Sequence, residues 1–187
     1  MADRCFVAVD IDDAAIKAAL VHVQSTIKAT GADVKCVEEE NIHITLKFLG
    51  EISEVKTAQV AELVKGITFK PFSLGFQGVG VFPALSRPSV VWAGITGDIS
   101  EILAVFTELE RGLKILGFEP ERRPFQPHVT LCRVRSGKNR EQLAEAITAL
   151  KDEEFGKLRV AQISLKKSVL TRGGPIYSMV SESKLLQ

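Results

Sequence analysis

Two stretches of this chain, 85 positions apart, carry nearly the same short pattern: Asn41-Ile42-His43-Ile44-Thr45-Leu46 and Gln126-Pro127-His128-Val129-Thr130-Leu131. Each reads as a strand, because polar and apolar residues alternate and β-branched types are frequent. In a strand, residues two apart share a face. Each segment therefore presents an imidazole beside a hydroxyl, with aliphatic side chains turned the other way into a core. One such polar pair on a half-buried strand is ordinary, since threonine suits strands in any case. Two copies, using two of the chain's three histidines, constrain the fold far more.

The surrounding elements repeat as well. Residues 4–11 predict a strand, and Asp12 is placed to cap a helix whose buried stripe is Ile16, Leu20, Val23 and Ile27, ended by Gly31. Residues 42–49 form the first histidine strand, with Gly50 marking its end, and Ser53 caps a shorter helix bearing Val60, Leu63, Val64 and Ile67. The run from Phe72 to Phe82 is extended and interrupted by Gly75, Gly78 and Gly80. These glycines complete no dinucleotide-binding pattern and suggest a twisted or bulged strand.

In the second half, residues 90–93 are a strand, and Asp98 is positioned to cap a helix striped by Ile99, Ile102, Leu103, Phe106, Leu109, Leu113 and Leu116. Residues 128–134 are the second histidine strand, and residues 139–150 a helix with Leu143, Ile147 and Leu150 inward. Residues 158–170 and 175–181 are extended, joined by a turn at Gly173-Gly174. The offset of 85 also carries Val7 onto Trp92, Ala8 onto Ala93 and Asp13 onto Asp98. Strand–helix alternation is common enough to align by chance, but matched helix lengths and motif positions favour a duplication. The expected fold is α+β: one two-lobed domain over 1–187, with pseudo-repeats of about 1–82 and 88–187 meeting near Pro83–Pro88. Two antiparallel sheets would line a central cleft with helices outside, and a pseudo-two-fold axis would bring the histidine strands face to face.

Composition removes several classes of function. With 45% hydrophobic and 25% charged residues the chain is an ordinary globular protein. A net charge of +1 leaves no long phosphate-tracking stripe, so any nucleic-acid contact is local, as at a strand end. The cysteines Cys5, Cys36 and Cys132 are odd in number, far apart and without a CxxC pair, so neither a disulfide framework nor a zinc knuckle is expected, which fits a reducing cytosol. The first apolar run breaks at Asp10, too early for a signal peptide or a membrane span.

Paired imidazoles suit phosphodiester cleavage. In-line displacement at phosphorus sets the attacking and leaving oxygens on opposite sides; one needs a base, the other an acid. Imidazole titrates near ~6.5, so both forms exist at neutral pH. Thr45 and Thr130 can donate to the non-bridging oxygens, and the guanidinium of Arg133 matches a phosphate. Strict alternation nevertheless puts His128, Thr130 and Cys132 on one face and Arg133 on the other. Either the strand bulges or ends there, or Arg133 makes a structural contact. His22 lies off its helix's apolar stripe and reads as a surface residue. A zinc hydrolase would need a third ligand; neither strand offers another histidine, and the acids Glu38, Glu39, Glu40 and Glu51 do not recur near His128. The basic residues Arg122, Arg123, Arg133, Arg135, Lys138 and Arg140 bracket the second motif. Phe48, Phe82, Trp92 and Tyr177 are candidates to stack a base, though core packing is the default for each.

The segments Glu40-Asn-Ile-His-Ile-Thr-Leu-Lys-Phe-Leu-Gly-Glu51 and Pro127-His-Val-Thr-Leu-Cys-Arg133 resemble the paired His-x-Thr motifs of the two-histidine phosphoesterases, and among these the RNA 2′,3′-cyclic phosphodiesterases, formerly called 2′–5′ RNA ligases. Arg4-Cys-Phe-Val-Ala-Val9, Gly78-Val-Gly-Val-Phe-Pro83, Val91-Trp92 and Gly174-Pro-Ile-Tyr177 extend the similarity over nearly the whole chain. The resemblance implies a bilobal cleft enzyme that opens a terminal 2′,3′-cyclic phosphate to a 2′-phosphate, with a weak reverse joining reaction. It implies no metal or other cofactor. His128 would be the base that activates water and His43 the acid for the departing O3′, with Thr45, Thr130 and Arg133 binding substrate. The implied partner is a cyclic-ended RNA, tRNA fragments included, met by a cytoplasmic monomer with no membrane attachment. Competing readings are a related phosphodiesterase acting on a small cyclic nucleotide or 2′–5′ oligoadenylate, and a non-catalytic RNA-end binding module.

Overall fold

A computed structural model describes residues 2–171 and 174–185. Its elements, in chain order, are β1 (Ala2–Asp10), α1 (Ala14–Ala29), β2 (Val34–Cys36), a single 3₁₀ turn (Glu39–Asn41), β3 (His43–Ser53), α2 (Glu54–Gly66), β4 (Phe72–Ala84) and β5 (Arg87–Thr96). There follow α3 (Ser100–Ile115), β6 (His128–Val134), α4 (Arg140–Ala149), β7 (Glu154–Val160), β8 (Ser164–Leu170) and β9 (Pro175–Glu182). The strands form one antiparallel sheet in the order β7-β4-β5-β6-β3-β1-β8-β9, with β2 paired to β6. The α+β class and antiparallel pairing agree with the sequence, but the two expected sheets are joined. One bridge, Ile44 opposite Val129, links a four-stranded set ending in β3 to another ending in β6.

The spatial halves interleave the chain. β4 comes from the first half, yet pairs with β5 and β7, while β8 and β9 return from the C-terminal part to extend β1. Residues 83–88 form the tight β4–β5 hairpin. The helices cross over too: α1 packs on β6, β7 and α4, whereas α2 packs on β1, β3, β8 and β9 with α3 against it. They cover the face that buries Val7, Val9, Ile44, Leu46, Val129 and Leu131, leaving the histidine face open.

The helix stripes behave as their spacing requires. Ile16, Leu20, Val23 and Ile27 are buried in α1, and Ile102, Leu109 and Leu113 in α3, where Val105 is buried too and Leu103 and Phe106 are only half-buried. The α1 cap is Asp13 and not Asp12: its carboxylate accepts the amides of Ala15 and Ile16 at 2.9 and 3.0 Å. Gly50 does not end β3. It sits within the strand at φ 72°, where the β1 register slips, a conformation that favours glycine. The run 158–170 divides at residues 161–163 into β7 and β8, which lie far apart in the sheet. Of the expected Gly173-Gly174 turn, Gly173 lies outside the described residues; Thr171 and Gly174 exchange backbone hydrogen bonds.

The cysteine expectation is corrected. Cys36 and Cys132 face each other in the β2–β6 register and form a disulfide, while Cys5 stays a free, buried thiol. Antiparallel pairing brings together two residues 96 positions apart, which neither spacing nor an odd count reveals. Cysteine usage thus carries no argument for a reducing compartment. Among the described residues, no helix is long and apolar enough to cross a membrane.

Candidate active site

The site grows out of the Ile44–Val129 bridge. Because that pairing is antiparallel, His43 lies beside Thr130, and Thr45 beside His128. All four side chains are half-buried on one face, and the intervening Ile44 and Val129 are fully buried on the other. The two motifs are held in the same way. His43 Nδ1 lies 2.7 Å from the carbonyl of Asn41, and His128 Nδ1 lies 2.7 Å from the carbonyl of Gln126. A carbonyl only accepts, so each Nδ1 carries the proton and each neutral ring keeps its lone pair on Nε2. The Thr45 hydroxyl is 2.9 Å from His43 Nε2 and donates to it while the ring is neutral.

The surroundings of the two rings differ. His43 packs against Phe6 (5.0 Å between centroids) and edge-on to Tyr177 (5.6 Å), whereas His128 meets Phe82 (5.1 Å) and Trp92 (6.3 Å) edge-on. Burial lowers the pKa of His43 below its ordinary value, and nearby Lys166 adds to this; the Asn41 carbonyl and Asp10 pull the other way. Burial also raises the Tyr177 hydroxyl, against the pull of Arg133 and Arg4. Asp10 stands opposite His43 in β1 and is bound by Ser164 (2.9 Å) and Lys166.

Arg133 does reach the cleft, against strict alternation. The β5–β6 register slips so that Leu131 and Cys132 are both buried, which reverses the phase of the strand and returns Arg133 to the face of His128 and Thr130. β3 carries the matching irregularity: Leu46 and Lys47 are both buried and Phe48 turns to the cleft. Phe48 is 63% exposed, so the expectation of core packing fails there. A cavity of about 540 Å³ is lined by His43, Thr45, Thr130 and Arg133, with Lys35, Phe48 and Tyr177 among its other walls. His128 stands across the bridge from it, beside Phe82 and Trp92. His22 is exposed on α1, away from all of these. Among the described residues no group of three or more His, Cys, Asp or Glu side chains is arranged to hold a metal ion.

The family model for LigT like Phosphoesterase matches this chain twice, over residues 9–92 and again over 95–177. The chain belongs to that family. Similar LigT-like proteins include the RNA 2′,3′-cyclic phosphodiesterase of Aeropyrum pernix, 42% identical over 88% of this chain and 94% of that one. That of Methanothermobacter thermautotrophicus is 40% identical over 94% and 95%. Among solved structures, Escherichia coli LigT complexed with 3′-AMP superposes with a TM-score of 0.80 at 25% identity, covering both chains completely.

Within this LigT-like frame, sequence reasoning missed several wall residues. Asn41 is buried; besides its carbonyl on His43, its side-chain amide donates to Pro175 O at 3.0 Å, tying the 3₁₀ turn to β9. Lys35, Arg4 and Phe6 also line the cavity. Their signal was available for β1, where even-numbered residues share the face of His43's neighbours; β2 is too short for a pattern.

Proposed function

We propose that this LigT-like phosphoesterase is an RNA 2′,3′-cyclic phosphodiesterase, hydrolysing the cyclic end to a 2′-phosphate with His43 and His128 as its acid–base pair. The observation that carries this reading is the mirrored arrangement across Ile44–Val129: two imidazoles, each fixed through Nδ1 on the carbonyl two residues earlier, and each set in the register opposite the other motif's threonine. His128 Nε2 takes a proton from water as its oxygen bonds to phosphorus. His43 Nε2 gives its proton to O3′ as the P–O3′ bond breaks, leaving a 2′-phosphate and a 3′-hydroxyl. Burial favours the neutral form of the His43 ring. An arriving anionic diester favours the protonated ring that the acid role requires. Thr45, Thr130 and Arg133 hold the non-bridging oxygens, where charge accumulates. With a strand's 5′-hydroxyl in place of water, the same step gives its proton to His128 Nε2 and joins two strands through a 2′–5′ diester as the P–O3′ bond breaks and O3′ takes the proton from His43.

The names of the relatives, cyclic phosphodiesterases at 42% and 40% identity, support the substrate class. We also read the domain as a duplication over about 1–82 and 88–187, supported by the doubled family match and the paired strand irregularities. Replacing His43 or His128 with alanine is expected to lower kcat on a cyclic-phosphate oligonucleotide by at least ~10²-fold. Circular dichroism should show an unchanged fold. An undiminished rate in either variant refutes the mechanism.

A further inference from the structure

We propose that the cleft is built for the end of a chain of nucleotides, with Lys35 holding the phosphate on the 5′ side of the terminal nucleotide. This rests on the hydrolase reading above. The reacting phosphate of a cyclic end is a diester with a single negative charge, and Arg133 with one protonated imidazole already answers it. The cavity carries more: Arg4, Lys35 and Arg133 line it against one carboxylate, Glu38, in a chain whose net charge is only +1. Cations elsewhere on these strands are neutralised, as in Lys166–Asp10, Lys167–Asp3 and Lys47–Glu110. Arg4 and Lys35 pair with no carboxylate among the described residues, so two positive charges face the cavity unspent.

Geometry selects Lys35 for the second phosphate. It stands opposite Arg133 in the β2–β6 register, on the edge of β6 that β3 also borders, displaced along β6 from the Ile44–Val129 bridge. Its side chain extends across the cavity mouth to the β8–β9 hairpin, where a Cβ added to Gly174 would lie 3.9 Å from the ammonium. The exposed ring of Phe48 and the Tyr177 ring line the same space, the mixture of aromatic and basic surface that single strands bind by stacking and charge. A mononucleotide would leave this wall unused.

The test compares kcat/KM for three substrates: a mononucleoside 2′,3′-cyclic phosphate, the dinucleotide with the same terminal nucleotide, and that dinucleotide with an uncharged methylphosphonate as its internal linkage. The wild-type enzyme is expected to favour the charged dinucleotide over the methylphosphonate by about tenfold, the scale of one charge-assisted contact. In K35A that preference should collapse to within about twofold, and K35R should restore most of it. Equal rates on the charged and uncharged dinucleotides, or a preference that persists in K35A, would overturn the inference while leaving the hydrolase standing. No turnover of any substrate by the folded wild type would overturn both.

Discussion

Lys47→Met tests the support behind the second histidine. Lys47 is 5% exposed, buried by the irregularity in β3, and its ammonium sits 2.8 Å from Glu110 of α3, 3.2 Å from Glu121 and 3.0 Å from the carbonyl of Glu119. Methionine keeps most of the stem's packing but leaves Glu110, 15% exposed, facing a charge-free wall. Stranding a fully buried partner costs ~3–5 kcal/mol. Here the cost is smaller, because Glu110 also accepts the amide of Glu121 at 2.9 Å and Glu121, 48% exposed, can turn to water. A loss of ~2–3 kcal/mol is expected, which lowers Tm by roughly 4–12 °C in a chain of this size. Urea and thermal denaturation measure it. The double variant K47M/E110Q should recover at least half of the loss, since a neutral amide needs no counter-charge. Lys47 also pins the segment that leads to Gln126, whose carbonyl orients His128, so kcat should fall, though less than in H128A. Stability within about 0.5 kcal/mol of wild type, or a double variant no better than K47M, would refute the reasoning.

Two further outcomes follow from the rings. Because burial holds the His43 pKa below 6.5 in the folded state, the unfolded chain binds the extra proton, so this residue's contribution is intact above about pH 6.5 and is lost as pH falls below it. The stability difference between wild type and H43Q should therefore move against wild type from pH 7.5 to 5.5 in urea melts, and a difference independent of pH would contradict the burial account. A Cβ at Gly80 would overlap the Trp92 indole, which packs near His128. G80A is thus expected to cost ~1–3 kcal/mol and to reduce kcat, and wild-type stability and rate would show that Trp92 moves freely.

Much of this molecule is readable from local pattern. The α1 and α3 stripes, the β6 limits and the shared face of His43 with Thr45 all follow from periods of 3.6 and 2, which depend only on neighbours in the chain. Arg133 and Phe48 escaped the same logic, because a register slip is settled by the partner strand and not by the strand's own residues. Nothing in Ala161-Gln162-Ile163 announces that β7 and β8 separate to distant places in the sheet, since no proline or glycine marks the break. The disulfide and the burial of Lys47 were hidden for a related reason: each depends on a contact across 96 or 63 positions, with Cys132 and with Glu110.

The amino-acid order by itself determined the helices and most of the strands, the doubling of the His-x-Thr pattern and the chemistry two imidazoles can perform, because alternation and helical spacing are local properties of a polypeptide. Tertiary structure alone decided that the motifs meet at a single bridge, that strands from each half complete the other, and that the cations of β1, β2 and β6 share one wall of one cavity. Those outcomes depend on pairing and burial between residues far apart in the chain, where no periodicity reaches.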